Sequence, residues 1–568
     1  MSRTSNLLLL PLILFSSAII ALLIRAKRRS LQFLQGPPSP SFLLGYEWEF
    51  SRVRKLGGLE DDWIGNYGSA FRMPGCFGED ILHVADPRAL QHICHKSAYR
   101  YKKPRDIEHL LTKIFGPGIL TANGATHQRQ RKILNPVFSA AQIKPFAQLF
   151  ASSAQSLALK WRAEIEGDAK VIDIYRFLHN MALDALGETM FEYDFDAMGG
   201  KKASELRDIM RDLFLDSRNP TELKMLRNAT YRFIPTPLIN LMALKKTKED
   251  KRFDHWLKAS QAVSQDLAKN KVENGGGGEK DKDFLSVLGE SEWFHTGSTV
   301  IKTTVARSME TDDPSKTLVP DEALSQMATI IFAGHETTAS TMNWVIYELS
   351  RNPKSQEQLF RELKNFREQT GNDGDFSAQD LDSMVYLNAV IKETLRVYPI
   401  VFEIVREAEE DDVIPLDSPV IDASGSVLRE IPVTKGQRVI ANIYEYNRFK
   451  SLWGEDAEEW KPERFLDKTR PTTLGVFANL MSFSAYSPQI AKANAQATLG
   501  AGVRACIGWR FAVLELQVVI AALVESFVFS PVEGVEIERL RLGVSPPVLK
   551  GKWQSGPQLP LKVALRQA

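Results

Sequence analysis

The sequence predicts one large, mainly α (α+β) domain carried behind a single membrane-spanning helix. Three observations carry that prediction. Apolar residues recur at three-to-four spacing over Phe146–Glu166, Ala203–Asp216, Phe253–Lys269, Asp321–Arg351, Ser355–Thr370, Asp380–Tyr398 and Phe511–Phe527, the period of helices that bury one face. Only short β-like runs such as Ile81–Val84 and Gln437–Ile443 interrupt them. The N-terminal end holds one continuous apolar run, Leu7–Ile24.

Composition bounds what such a chain can do. Of 568 residues, 44% are hydrophobic and 25% charged, so enough apolar surface is available to offset the entropy of ordering. Lys+Arg number 71 against Asp+Glu 70, a net charge of +1, which argues against a nucleic-acid partner. The three cysteines, Cys76, Cys94 and Cys506, stand far apart. They make neither a disulfide framework nor a Cys-rich zinc site, and a reducing compartment follows. No repeat or composition shift marks a second catalytic domain. No glycine-rich dinucleotide fingerprint is present, so redox chemistry would need electrons from outside the chain.

In chain order, Leu7–Ile24 as a helix spans roughly 27 Å, near the hydrocarbon thickness of a bilayer. Arg25, Lys27, Arg28 and Arg29 follow it at once while only Arg3 precedes it, so the positive-inside rule puts the remainder in the cytosol. No small-x-small cleavage site follows, and an uncleaved anchor is expected over a secretory signal. The resulting layout is a lumenal end (1–6), an anchor (7–24), a basic and proline-rich hinge (25–45) and a catalytic body (46–568). The hinge contains Gly36-Pro-Pro-Ser-Pro40, which cannot continue a helix. Asn274–Asp283 has linker composition and reads as a surface loop.

Four clusters in the body carry chemistry. His127-Gln-Arg-Gln-Arg131 places a ring N–H and a guanidinium on one helical face, able to hold an anion; a plain solvated basic helix is the competing reading. Ala333-Gly-His-Glu336-Thr337-Thr338 opens a polar notch in an apolar helix, where Gly and Thr weaken the helical ladder. Such a notch can hold a small ligand and relay protons, unless its polar stripe simply faces solvent. Glu393-Thr-Leu-Arg396 sets two charges on one face, and Lys461-Pro-Glu-Arg464-Phe is a loop able to bring Arg464 to them. Gly502-Val-Arg504-Ala-Cys506-Ile-Gly508 precedes a long apolar helix. Its glycines let the backbone curl around the sulfur, the helix N-terminus favours a thiolate, and Arg504 can bind a cofactor anion. An inert buried cysteine is the alternative there, and the expected state of Cys76 and Cys94.

In this order the motifs resemble the signature set of the cytochrome P-450 family, the heme-thiolate monooxygenases: the proline-rich hinge, the WxxxR helix (here HQRQR), AGxE/DTT, ExxR, PERF and GxRxCxG. The resemblance spans roughly residues 36 to 550 and is similar in detail to fungal microsomal members. It implies the cytochrome P-450 fold, a large helical prism with a small sheet region near the N-terminal part, and heme b with Cys506 as the axial thiolate. It further implies that Thr337 and Glu336 guide protons to dioxygen beside a groove formed by Ala333 and Gly334. His127, Arg131, Arg504 and Arg406 would bind the heme propionates, and Glu393, Arg396 and Arg464 would form a structural charge triad. His127 stands where the family usually has Trp, keeping a ring N–H donor.

The implied activity is monooxygenation of a small lipophilic substrate at the endoplasmic reticulum membrane. NADPH–cytochrome P-450 reductase would supply the electrons, with cytochrome b5 as an optional partner. A heme-thiolate isomerase or dehydratase is the rival enzyme; a non-catalytic membrane protein is the rival from another class. Two stretches break the family pattern. Deleting Tyr486–Ala501 joins Phe483-Ser-Ala485 to Gly502 as FSAGVRACIG, and deleting Gly289–Val305 joins Leu288 to Ala306 as SVLARSMETDD. Both read as translated introns, with true surface insertions as the alternative.

Overall fold

A computed structural model describes residues 31–53, 55–165, 167–199, 206, 208–210, 212–213, 221–234, 237, 239, 246–273, 318–466 and 503–567. The anchor Leu7–Ile24, the stretches 289–305 and 486–501, and Phe483 lie outside the described residues. Among the described residues no helix is long and apolar enough to cross a membrane.

The helices used below are α1 (Gly45–Arg52), α2 (Arg105–Phe115), α3 (Gly124–Leu134), α4 (Phe146–Glu164), α5 (Ile174–Phe191) and α6 (Glu222–Thr230). They continue as α7 (Lys248–Glu273), α8 (Pro320–Arg351), α9 (Pro353–Thr370), α10 (Ala378–Ser383), α11 (Val385–Val397) and α12 (Trp509–Ser526). The strands are β1 (Ala70–Pro74), β2 (Asp80–Val84), β3 (Tyr101–Lys102), β4 (Ala169–Asp173), β5 (Glu403–Ala408) and β6 (Asp412–Ile421). After them come β7 (Val427–Val433), β8 (Arg438–Asn442), β9 (Phe527–Pro531), β10 (Ile537–Arg539), β11 (Pro547–Leu549) and β12 (Pro560–Leu565). The chain divides into two compact units, the first made of Met1–His109, Asn219–Lys246 and Glu403–Tyr446, the second of Leu110–Arg218, Thr247–Phe402 and Asn447–Ala568.

The first unit is built on a five-stranded sheet of order β1-β2-β8-β5-β3. β2 and β8 are parallel, with Ile81 opposite Arg438. Both are buried along their whole length, in keeping with apolar residues at successive positions, Ile81-Leu82 and Val439–Ala441, rather than an alternating pattern. The sheet is thus not drawn from the N-terminal part alone, since β5 and β8 come from residues 403–442. Arg232, just beyond α6, donates to Glu47 of α1, to Glu79 at 3.0 Å and to Asp106 at 2.8 Å, while Arg438 donates to Asp106 at 2.9 Å. These two guanidinium groups hold the Asp106 carboxyl far below the usual carboxylate range against the upward push of burial.

The second unit is helical, with one three-stranded sheet of order β4-β12-β9. Its core joins α4, α5, α8 and α12 through Phe150, Leu157, Trp161, Leu178, Leu186, Ile331, Val345 and Leu516. Phe150 meets Phe511 edge to face, with centroids 5.1 Å apart. Helix α8 begins where the Glu322 carboxylate accepts the Val319 N–H at 3.2 Å, and it runs unbroken for 32 residues.

One expected helix is wrong in outline. Asp380–Tyr398 is two helices, because Met384 is extended (ψ 102°) between α10 and α11. Asn388 holds the break by donating to the carbonyls of Leu381 and Met384 at 2.8 and 2.7 Å. The C-terminal end stops at Val397 because Pro399 disfavours a helical Tyr398.

Candidate active site

Cys506 sits in the turn that enters α12, with Gly508 as the residue before the helix. The residue is exposed, although protein surrounds it closely enough that burial pushes its thiol up. The Gly508 N–H and the charge of Arg131 pull in the opposite direction without overcoming that push. The helix N-terminus therefore does not by itself make the thiolate that the sequence suggested. A thiol in this condition is deprotonated when a cation meets it, as a metal ligand is.

Helix α3 closes on this turn through its arginine. Arg131 donates through Nη1 to the carbonyl of Ala505, the residue before the cysteine. Arg504 reaches back to the start of the same helix, donating to Ala122 O at 3.1 Å and to Asn123 Oδ1 at 3.0 Å. His127 is buried one turn before Arg131. Arg131, Arg504 and the cysteine turn thus form one group, with His127 on the same helix. Arg406 lies on β5 of the first unit, where it donates to Val405 O at 2.9 Å and its charge acts on Cys94.

The notch in α8 has two sides. Residues 323–331 and 338–346 are buried almost throughout, yet Ala333 is exposed and Glu336 and Thr337 are half-buried. Ala333 and Thr337 share the open side, since the Thr337 hydroxyl donates to Ala333 O at 2.7 Å. Gly334 faces α5 instead: a Cβ there would lie 2.8 Å from Leu186 Cδ1, so the glycine lets two helices approach. Thr338 and Thr341 donate to Gly334 O and Thr337 O, each at 2.8 Å, so with Thr337 three side-chain bonds load the ladder between Ala333 and Thr341.

Glu336 also turns toward α5. Tyr175 Oη lies 3.5 Å from its Oε1 and His179 Nε2 3.7 Å from its Oε2. Burial pushes this carboxyl up, but the facing His179, with smaller contributions from His335 and Tyr175, outweighs it and holds it at about 2. Sequence reasoning missed Tyr175 and His179, whose only signal is a histidine on an otherwise apolar helix.

Glu393, Arg396 and Arg464 meet. Arg396 donates from Nε and Nη2 to the two Glu393 oxygens, both at 2.8 Å, and Arg464 Nε adds a contact at 3.3 Å. Lys461 N–H completes the carboxylate at 2.8 Å. Arg464 sits in a 3-10 turn, Pro462–Phe465, that supplies this geometry.

The site suits an anionic, metal-bearing group: an exposed cysteine in a turn met by two arginines, and a helix buried at both ends but open in the middle. Comparison with known proteins agrees. Residues 37–549 match the family model described as Cytochrome P450. Cytochrome P450 monooxygenase 205 of Postia placenta is 32% identical over 96% of this chain and 94% of its own length. Ganoderic acid synthetase CYP5150L8 of Ganoderma lucidum is 31% identical over 89% of each chain. Cytochrome P450 monooxygenase claW of Ampulloclitocybe clavipes is 29% identical over 97% of this chain and 96% of its own length.

Proposed function

Since this chain belongs to the cytochrome P450 family and is a monooxygenase, we propose that it oxygenates a small lipophilic molecule with heme b held by Cys506. The observation that carries this reading is the meeting of Arg131 and Arg504 with the cysteine turn. When bound, the heme supplies reductive activation of dioxygen, so that one oxygen atom enters the substrate and the other leaves as water. Cys506 gives the thiolate ligand. Arg131, Arg504 and His127 hold the propionates as charge-assisted partners. Ala333 and Thr337 leave room for dioxygen on the open side of α8, while Gly334 lets α8 approach α5, and Thr337 Oγ1 and Glu336 deliver protons to the open side. Glu393, Arg396 and Arg464 keep the cysteine side of the site in place.

NADPH–cytochrome P450 reductase supplies the electrons singly, cytochrome b5 serving as an optional donor. Leu7–Ile24 anchors the protein in the endoplasmic reticulum membrane with the catalytic domain in the cytosol; removing residues 1–29 then frees it from carbonate-washed membranes. The stretches 289–305 and 486–501 are translated introns, a reading that ends if mature message contains both.

The deciding experiment is a reduced, carbon-monoxide difference spectrum of purified protein. A red-shifted Soret band is expected, and Cys506→Ser abolishes it. Retention of that band in the variant overturns the ligand assignment, while product formation without oxygen overturns the monooxygenase reading of the site.

A further inference from the structure

Two buried glutamines close a chain of hydrogen bonds onto the loop between α2 and α3. The Ile119 N–H donates to Gln326 Oε1 of α8 at 3.0 Å. Gln326 Nε2 donates to Gln130 Oε1 of α3 at 3.1 Å, and Gln130 Nε2 donates to the carbonyl of Pro117 at 3.2 Å. The backbone settles the direction of every bond. The Ile119 N–H can only donate and the Pro117 carbonyl can only accept, so each amide has one orientation that completes the chain. Both glutamines are 0% exposed, so each amide depends on these partners.

The loop itself has little freedom. Gly116 (φ 74°) and Gly118 lie directly against α8. A Cβ at Gly116 would stand 2.2 Å from Ser325 Oγ, and one at Gly118 would stand 3.2 Å from the Ser325 carbonyl. Thr121 Oγ1 lies 3.0 and 2.9 Å from the carbonyl oxygens of Gly116 and Gly118. Ile119 and Leu120 are half-buried, with part of each residue accessible. At both ends the loop is tied to elements that bound the candidate site. Phe115, just before it, meets Phe332 with centroids 5.3 Å apart, and Phe332 directly precedes the open Ala333. Just after it, Ala122 O and Asn123 Oδ1 accept from Arg504 of the cysteine turn.

We propose that Gln130 and Gln326 are positioning residues for substrate selection, a role that rests on the oxygenation reading of this site given above. Their amide chain fixes the loop 116–121 so that Ile119 and Leu120 stand as a rigid aliphatic wall of the reaction space. A wall bonded through its own backbone cannot swing aside for a bulky group, as one held by side-chain packing alone can. Selection is then by shape: compact apolar molecules fit, and groups that need the loop to yield are excluded. Methionine in place of either glutamine keeps the length of the side chain and breaks the chain of bonds. No amide then remains to accept at one end and donate at the other. The two variants therefore act alike, and the double variant adds little to either.

The test uses the full-length, heme-loaded protein and two readouts. Hydrogen–deuterium exchange of the peptide covering 116–123 needs no turnover. It should be slow in wild type and about tenfold faster in Gln326→Met. It should be equally fast in Gln130→Met, although Gln130 does not touch the Ile119 N–H. The second readout is the affinity of two iron ligands, imidazole and the bulkier 4-phenylimidazole, followed by the Soret band. Gln326→Met, Gln130→Met and Ile119→Ala should each shift the ratio of the two affinities toward 4-phenylimidazole, on the order of tenfold. If Gln326→Met fails to load heme, Gln326→Asn takes its place, its shorter amide being unable to reach both partners. Unchanged exchange in Gln130→Met overturns the proposal. So does faster exchange with an unchanged ratio, including equal weakening of both ligands, which marks a purely structural role. No Soret response to imidazole in wild type overturns instead the heme reading beneath it.

Discussion

Glu393 and Glu336 are both carboxylates on helices of the second unit, and they are held in opposite ways. Glu393 is fully buried and accepts four hydrogen bonds, three of them at 2.8 Å. Its partner Arg396 directs its remaining donors to the carbonyls of Asn447 and Glu459 at 2.8 Å and of Ala457 at 2.5 Å. Glu336 keeps 18% of its side chain accessible and meets its partners at 3.5 and 3.7 Å. A buried charge that never changes state gains from every bond it can make. A charge that must gain and lose a proton cannot be bonded so completely, because each short bond would lock one protonation state. Contact length thus separates the two carboxylates in the way the scaffold and proton-carrier roles proposed for them require.

Breaking the tight cluster is expected to have the largest effect. Arg396→Leu leaves Glu393 buried and short of its bidentate partner, a change that costs about 3–5 kcal/mol, a large share of the stability of a typical domain. Thermal unfolding and the carbon-monoxide spectrum should both show loss of folded, heme-loaded protein. An unchanged melting temperature would mean that the cluster is not the scaffold the contrast requires.

The loose side gives the second prediction, with the opposite signature. Thr337→Ala removes one hydroxyl that donates to Ala333 O at 2.7 Å on a half-buried position, so stability should change by no more than about 0.5 kcal/mol. Heme binding persists, while product yield per NADPH falls and peroxide rises, by tenfold or more in order of magnitude. Full yield in this variant, measured beside an oxygen electrode and a peroxide assay, would remove the hydroxyl from the proton route.

How much of this was legible in the sequence follows the same division. The Glu393–Arg396 pair was readable because spacing of three puts both on one helical face, and α8 was readable from its long apolar period. Arg464 stands 71 residues from Glu393, so its arrival was readable only through the family motif. The carbonyls that complete Arg396 were not readable at all, since every residue type offers one. Tyr175 and His179 escaped for a related reason: Tyr175 meets Glu336 across 161 residues, and no local pattern links α5 to α8. The break at Met384 depends on the Asn388 side chain reaching backward, a contact that helical periodicity does not encode. The Cys506 turn was found by its motif, but the upward push on its thiol required knowing how deeply the chain surrounds it.

A third carboxyl completes the series and gives the smallest expected effect. Glu515 on α12 is 1% exposed, and neither of its oxygens has a hydrogen-bond partner among the described residues. Burial pushes it up to about 8; Thr338, whose own hydroxyl donates to Gly334 O at 2.8 Å, opposes this only weakly. The native state therefore keeps a proton that the unfolded chain releases near the ordinary value of 4.5. Folded protein binds the extra proton between about 4.5 and about 8, so stability contributed by this group falls as pH rises through that window and levels off above it. Glu515→Gln keeps the shape and removes the titration. Relative to wild type, the variant should gain on the order of 1–2 kcal/mol between pH 5 and pH 8.5, less than full linkage because water and relaxation soften a buried charge. Thermal melts across that range decide it. Wild-type and variant curves that stay parallel would show that Glu515 is ionised with a counter-charge after all, and would place it with Glu336 and Glu393 rather than apart from them.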